Sequence, residues 1–313
     1  MVAKIFIDGE AGTTGLQIRD RLAGRRDFEL LSIAADKRKD KDERKRLLNA
    51  ADVAILCLPD EAAKESVSLI ENDTTRVIDA SSAHRVAAGW TYGFAEMERG
   101  QSRKIAQAKR VTNPGCWPQG GIATLRPLVN AGLIPTEYPV TVHGISGYSG
   151  GGRSMIEDYE RQGEDANVFL PYALTLQHKH LPELQAHAGL GNTPLFTPAV
   201  GNFRQGMIVT VPLQLRTLAR IPTGAELHAA IADHYAAISG GFVEGAPLAE
   251  TSGLDPEAYN DSNRMRLHVF ANDKTAQAVL IAVYDNLGKG ASGAAVQNLN
   301  LMLGVAADTS LAA

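Results

Sequence analysis

Cysteine is scarce in this chain, two residues among 313, and one of them stands where a thiol could do chemistry. Cys116 follows Asn113-Pro-Gly and opens a segment in which Ile122, Leu125 and Leu128 recur at helical spacing, so the sulfur is expected at a helix N-terminus. Unpaired amides and the positive end of the helix dipole favour thiolate over thiol, bringing the usual cysteine value of about 8.5 toward neutrality and giving a usable nucleophile. Packing beside a turn is the competing reading, although alanine or serine would serve that purpose equally well. Further on, Gln177-His-Lys-His180-Leu-Pro-Glu183 sets a pair of histidines just ahead of a proline suited to a helix start. Histidine trades protons near neutral pH and can hold a thiolate as its ion-pair partner. Ser146-Gly-Tyr-Ser-Gly-Gly-Gly-Arg153 reads either as a flexible turn or as an anion pocket of amides, hydroxyls and a guanidinium. On the second reading Ser146, Gly147 and Arg153 meet substrate.

Elements must hold these groups. Val2 to Asp8 is an apolar run ending in Gly9-Glu-Ala-Gly12-Thr13-Thr14-Gly15, ahead of the helical pattern Leu16, Ile18, Leu22. Strand, glycine turn and helix make a phosphate-binding unit, in which Gly9, Gly12, Thr13, Thr14 and Gly15 would face the pyrophosphate of a dinucleotide. The alternative is an ordinary tight turn. Phe28 to Ala35 reads as the second strand and delivers Asp36-Lys37-Arg38-Lys39, where such a fold meets the adenosine ribose. Lys37 and Arg38 suit a 2′-phosphate, which favours NADP over NAD, although the basic run from Lys37 to Arg46 also fits a solvated helix face or loop. Asp52 to Leu58 is a third strand, with Cys57 in its core, followed by a helix through Ala63, Val67 and Ile70. Arg76 to Ala80 is a fourth, leading to Ser81-Ser-Ala-His-Arg85, where Arg85 is either an anion contact or a solvated surface residue. Alternating strands and helices predict an α/β doubly wound parallel sheet for the first part of the chain.

The second part reads differently. Val140 to Ile145, Leu195 to Val200, Met207 to Leu215, Arg266 to Ala271 and Ala276 to Tyr284 are strand-like, with an amphipathic helix over Gly224 to Ala237 among them. Few crossovers predict an α+β domain on a largely antiparallel sheet. A length of 313 residues with 44% hydrophobic and 21% charged residues suits two packed domains. The net charge of −4 argues against a nucleic-acid partner. Nothing resembles a basic leader, a membrane-length apolar run or a zinc-spaced cluster, so a cytoplasmic protein with no metal is expected.

Taken together, Asn113-Pro-Gly-Cys116, Ser146 to Arg153, His178-Lys-His180-Leu-Pro-Glu183 and Asp285-Asn-Leu-Gly-Lys-Gly-Ala-Ser-Gly resemble the shorter type of N-acetyl-γ-glutamyl-phosphate reductase, in the semialdehyde dehydrogenase group. The resemblance implies reversible, NADP-dependent reduction of an acyl phosphate to an aldehyde in arginine biosynthesis. Cys116 would be the nucleophile and His180 the acid/base, with His178 a lesser candidate. Asn286, Lys289 and Gly290 would lie against the nicotinamide, and Asn113 would join Arg85 and Arg153 at the substrate. The implied organisation is an NADP-binding domain of residues 1–116 and 286–313, and a catalytic and oligomerisation domain of residues 117–285. The expected working form is a homo-oligomer, dimer or tetramer, acting on the acyl phosphate or semialdehyde and phosphate. Two other readings stay open: an aspartate-semialdehyde-type dehydrogenase, and a dinucleotide-binding redox sensor switched at Cys116.

Overall fold

The computed structural model describes residues 2–238, 240–249 and 251–312. The terminal residues of the expected NADP-binding domain, 1 and 313, lie outside them. The chain divides into two compact units. The first runs to Ala95 and takes in Gly100–Pro114 and Ala291–Leu311; the second comprises Glu96–Arg99 and Gly115–Gly290.

The first unit alternates β1 (Ala3–Asp8), α1 (Thr13–Leu22), β2 (Phe28–Leu31), α2 (Lys41–Ala50), β3 (Val53–Leu56), α3 (Asp60–Ser68) and β4 (Arg76–Asp79), then β5 (Thr91–Tyr92), α4 (Gln101–Gln107) and β6 (Arg110–Thr112). Its strands lie in the order β2-β1-β3-β4-β6-β5, and every ladder is parallel. Ile5, Ile7, Ile55 and Ile78 pack on one face of this sheet, and Phe6, Ala54, Leu56 and Val77 on the other. Burial on both faces is what makes β3 and the Ile5–Ile7 stretch of β1 read as continuous apolar runs. Chain order reverses between β1 and β3, so the carboxyl ends of these two strands flank the crevice where doubly wound sheets take ligands.

The expected second strand is longer than the observed one. Pairing with β1 ends at Leu31 opposite Phe6, the last residues of β1 pair with β3 alone, and Ala35–Lys37 turn as a 3-10 helix. The third strand likewise stops at Leu56, leaving Cys57 just beyond it. The basic run resolves into loop and helix at Asp40, whose carboxylate caps α2 by accepting from the amides of Asp42 and Glu43 at 3.0 Å.

The second unit holds α5 (Cys116–Asn130), β7 (Thr141–Gly147), α6 (Gly152–Gln162), β8 (Phe169–Pro171), α7 (Leu181–Ala188), β9 (Leu195–Gly201), β10 (Met207–Leu213), α8 (Gly224–Ala236), β11 (Val243–Gly245), β12 (Met265–Asn272) and β13 (Gln277–Tyr284). The final helix α9 (Gly293–Leu303) belongs to the first unit, where Ala295, Val296, Leu299 and Met302 join the apolar cluster around Ile5 and Ile18. The second sheet runs β11-β12-β13-β10-β7-β9-β8. It is mixed: β7 with β9 and β11 with β12 are parallel, and the remaining ladders are antiparallel. A crossover through α6, β8 and α7 separates β7 from β9, which is what a parallel neighbour requires. No helix among the described residues is long and apolar enough to cross a membrane.

The glycines of the β1–α1 loop divide by role. Gly9 has φ +90°, and a Cβ there would lie 2.3 Å from the Cys57 carbonyl oxygen, whereas at Gly12 the nearest atom would be the Gly9 carbonyl oxygen at 3.5 Å. The fold therefore needs glycine at position 9, whereas a Cβ at position 12 would make only an ordinary van der Waals contact. Gly9→Ala should lower the unfolding free energy by about 1–3 kcal/mol or more, while Gly12→Ala should change it by less than about 0.5 kcal/mol. Urea denaturation followed by circular dichroism checks the pair, and equal losses would contradict this division.

Candidate active site

Cys116 is the first residue of α5, after an N-cap glycine, Gly115, that offers no side chain to the helix amides. Pro118, in this first turn, brings no amide to it. No acidic residue stands in this first turn. The Gly115 amide is taken by the buried carboxylate of Glu183, which accepts at 2.7 Å and ties the start of α5 to α7. On the other side the buried Tyr284 hydroxyl donates to the Cys116 carbonyl at 2.5 Å and accepts from the Gly120 amide at 3.1 Å. Burial pushes the Tyr284 phenol well above its ordinary range, and the neighbouring Cys116 charge adds to this, so it stays a donor. A Cβ at position 120 would come 2.8 Å from that hydroxyl, so this contact requires glycine there.

Next to the sulfur lies a π-helical turn, Gly288–Ser292. A Cβ on Gly290 would lie 3.0 Å from Cys116 Cβ, and the Lys289 carbonyl accepts from Gln119 Nε2 at 2.7 Å. The Lys289 ammonium, expected at the cofactor, is buried and bonded to Glu96 at 2.7 Å. Asn286 is buried too: its Oδ1 accepts from the Gly206 amide at 2.8 Å and its Nδ2 donates to Ser149 Oγ at 3.0 Å. Both side chains therefore brace the walls of the second unit.

His180 is buried and directly precedes α7, one helical turn before Glu183. Its ring packs 4.6 Å from that of His178, whose Nδ1 accepts from the His180 amide at 3.1 Å. His178 also touches Phe196 at 5.1 Å and Tyr172 at 5.9 Å, and Trp117 closes the set by donating from Nε1 to the Tyr172 hydroxyl at 3.0 Å. Burial raises the Tyr172 phenol above its ordinary value, with the Cys116 charge again contributing. The helix carrying the thiol and the histidine segment thus share one aromatic cluster.

The expected anion pocket is built otherwise. The amides of Gly147, Tyr148 and Ser149 donate to the carbonyls of Gly206, Phe203 and Arg204 at 2.9, 2.9 and 3.0 Å, so they knit two loops together and do not form an open nest. Ser146 is buried, while Arg153 is 77% exposed and pairs with Glu157 on its own helix.

In the first unit, a cavity of about 340 Å³ lies at the carboxyl ends of β1 and β3, lined in part by Gly9, Gly12, Arg38, Lys39, Arg44 and Cys57. The N-terminus of α1 has no side-chain cap and no acid in its first turn, which begins Thr13-Thr14 and buries Gly15. A helix start without a side-chain cap, beside a lining that holds Arg38, Lys39 and Arg44 together with the carboxylates of Asp8 and Glu10, fits a dinucleotide's phosphates. Arg38 pairs with the buried Glu10 at 3.2 Å, whereas Lys37 sits exposed on the 3-10 turn, outside that lining. Arg44 holds the buried Asp8 at 3.1 Å. Arg85 is buried, and its Nε and Nη2 donate to the carbonyls of Asn113 and Ala80 at 3.2 and 3.1 Å. Asn113 is also buried; its Nδ2 donates to the Ala291 carbonyl at 3.0 Å and its Oδ1 accepts from Asn298 at 3.2 Å. Both residues fix the turn that leads to Cys116.

Glu183, Tyr284, Gln119, Glu96 and Glu10 carried no assigned role in the sequence. Glu183 alone had a local signal, a carboxylate in the first turn after a helix-opening proline; the others are defined by partners far along the chain.

Comparison with known proteins completes the assignment. A model of the semialdehyde dehydrogenase dimerisation domain matches residues 116–286, and a model of the semialdehyde dehydrogenase NAD-binding domain matches residues 4–105. N-acetyl-γ-glutamyl-phosphate reductases of Mesorhizobium japonicum and Chelativorans sp. are 69% and 70% identical, covering 97% of this chain and 100% and 99% of their own lengths. Among solved structures, aspartate semialdehyde dehydrogenase II of Vibrio cholerae complexed with ASA aligns with a TM-score of 0.73 at 15% identity, over 97% of this chain and 98% of that one. The enzyme of Candida albicans with NADP aligns with a TM-score of 0.64 at 14% identity, over 99% and 100%. The chain belongs to the semialdehyde dehydrogenase family and, within it, to the N-acetyl-γ-glutamyl-phosphate reductases.

The two thiols should differ sharply in reactivity. Burial, helped by Asp79 and Asp8, pushes the Cys57 thiol up to about 12, so at neutral pH it stays protonated and inert. Brief treatment of the folded protein with iodoacetamide should give one adduct, which peptide mass spectrometry maps to Cys116. Labelling of Cys57 at a comparable rate would contradict this environment.

Proposed function

We propose that the chain catalyses the reversible, NADP-dependent reductive dephosphorylation of N-acetyl-γ-glutamyl phosphate to N-acetylglutamate semialdehyde, through a thioester at Cys116. The observation that carries this reading is the thiol at the uncapped start of α5, joined through one aromatic cluster to the His178–His180 segment. Attack of the Cys116 sulfur on the acyl carbon forms a C–S bond and breaks the carbon–phosphate oxygen bond. His180 takes the thiol proton and passes it to the departing phosphate, so the proton balance closes. The glycine loop of the first unit would hold NADPH, which when bound would supply the hydride for reduction of the thioester carbon. The Cys116 and Trp117 amides hold the oxygen as it gains charge. Collapse then breaks the C–S bond, releasing the aldehyde and restoring the sulfur.

Within this reading, Gly9, Gly12, Thr13, Thr14 and Gly15 cradle the pyrophosphate, and Arg38, with Lys39 beside it, meets the 2′-phosphate. Arg153, exposed on α6, is proposed as the contact for a substrate carboxylate. The matched family model is a dimerisation domain, and the working form is proposed to be a homo-oligomer, dimer or tetramer, in the cytoplasm. The sensor reading lacks a resolving thiol, because Cys57 is the only other cysteine and is held protonated.

The reaction is best run in reverse, because the acyl phosphate is labile. Purified protein with NADP, phosphate and N-acetylglutamate semialdehyde should produce reduced-nicotinamide absorbance, and aspartate semialdehyde should not. His180→Asn should lower turnover by about 10²–10⁴-fold, and Cys116→Ser should abolish it while NADP affinity is retained. Signal with the aspartyl compound alone would refute the substrate, and full turnover by Cys116→Ser would refute the mechanism.

A further inference from the structure

The second unit buries one ion pair whose cost its fold alone does not explain. The side chains of Glu96 and Lys289 are 2% and 1% exposed. Charges withdrawn from water gain little net stability by pairing, and apolar residues of similar volume often replace such a pair without loss. Burial also draws the Lys289 ammonium below its ordinary value, opposed by Glu96.

What the pair touches supplies a reason for it. Glu96 Oε2 accepts from Lys289 Nζ at 2.7 Å while Oε1 accepts from the Phe242 amide at 3.0 Å, so the carboxylate is fixed at both oxygens. Its backbone neighbours are anchored as well: the Met97 carbonyl bonds His234 Nε2 at 3.1 Å, and Glu98 pairs with Arg126 at 2.5 Å. Lys289 stands inside the π-helical turn Gly288–Ser292, where the Gly290 amide reaches back to the Asp285 carbonyl at 2.8 Å. Such turns are rare and concentrate at functional sites. From this turn the Lys289 carbonyl receives Gln119, three residues past the thiol on α5, and Gly290 fills the space against Cys116. Glu96 therefore connects to the wall of the thiol site through a single side chain.

We propose that Glu96 and Lys289 are positioning residues: their buried pair holds the Gly288–Ser292 turn against the first turn of α5 and so sets where Cys116 and its amides meet the acyl carbon. This assignment rests on the thioester reading of Cys116, and it gives Lys289 a role other than contact with the cofactor.

The test is the double variant Glu96→Gln/Lys289→Met, which removes both charges together and leaves an acceptor for the Phe242 amide. It should keep a melting temperature close to the parent's and bind NADP with unchanged affinity, yet lose about 100-fold in kcat for N-acetylglutamate semialdehyde oxidation, with KM little altered. Gln119→Met cuts the link from turn to helix and leaves the ion pair in place. It should lower kcat in the same way, which keeps the test decisive if the double variant does not fold. The rate of Cys116 alkylation should shift in both variants, a readout that does not depend on turnover. Parental kcat and alkylation rate in a folded variant would overturn the proposal and leave the pair a purely structural feature. Survival of turnover in Cys116→Ser would instead defeat the thioester reading beneath it.

Discussion

The first turn of α5 cannot satisfy its own backbone, and its surroundings have to manage that deficit. Gly115 offers no side-chain cap, no acid stands in the first turn, and Pro118 contributes no amide. A fold that simply filled these positions would gain stability and lose a place to hold developing negative charge. Here the neighbouring groups are occupied selectively. Glu183 accepts from the Gly115 amide, and Tyr284 bridges the Cys116 carbonyl and the Gly120 amide. A hydrogen bond to a charged group contributes about 1.5–3 kcal/mol, a sizeable part of a domain's net stability of about 5–15 kcal/mol. The helix start is thus anchored at both Gly115 and Gly120.

Rigidity around the sulfur follows from the same constraint. Gly120 lies against the Tyr284 hydroxyl at an approach a side chain would forbid, and Gly290 lies against Cys116 where a Cβ would make a tight contact at 3.0 Å. The histidine segment is held by contacts among rings, with Trp117, Phe196, Tyr172 and His178 each touching another of the set. The first unit divides close packing from open access in a comparable way. Its glycine loop spends Gly9 on close packing with the end of β3 and leaves Gly12 and the uncapped start of α1 facing the cavity.

Local signals were legible in the sequence and long-range ones were not. The start of α5 at Cys116 follows from a Pro-Gly turn before an apolar period, and the β1–α1 loop from its glycines after a buried run; both are properties of adjacent residues. The strand expected to reach Ala35 stops at Leu31 because its pairing with β1 runs out there. The parallel pairing of β7 with β9 depends on a crossover that an isolated run such as Leu195 to Val200 does not announce. Tyr284 ends an apolar strand and Glu96 sits in a short connection, and neither is marked by its neighbours; each acquires its place from a partner more than a hundred residues away. In the serine and glycine run Ser146 to Arg153 the partners of the backbone are again set at long range. Its composition suits an anion nest, but its leading amides are used up by the loop at Phe203 to Gly206.

In the proposed reaction the acyl group passes through a covalent bond to Cys116, and trapping that bond tests the mechanism most directly. Freshly prepared N-acetyl-γ-glutamyl phosphate added to the protein without reduced cofactor should release phosphate once per active site and leave an acyl adduct. Intact-protein mass spectrometry should show it, peptide mapping should place it on Cys116, and hydroxylamine should remove it. Turnover on addition of NADPH without any such adduct forming, or an adduct carried by another residue, would contradict the account.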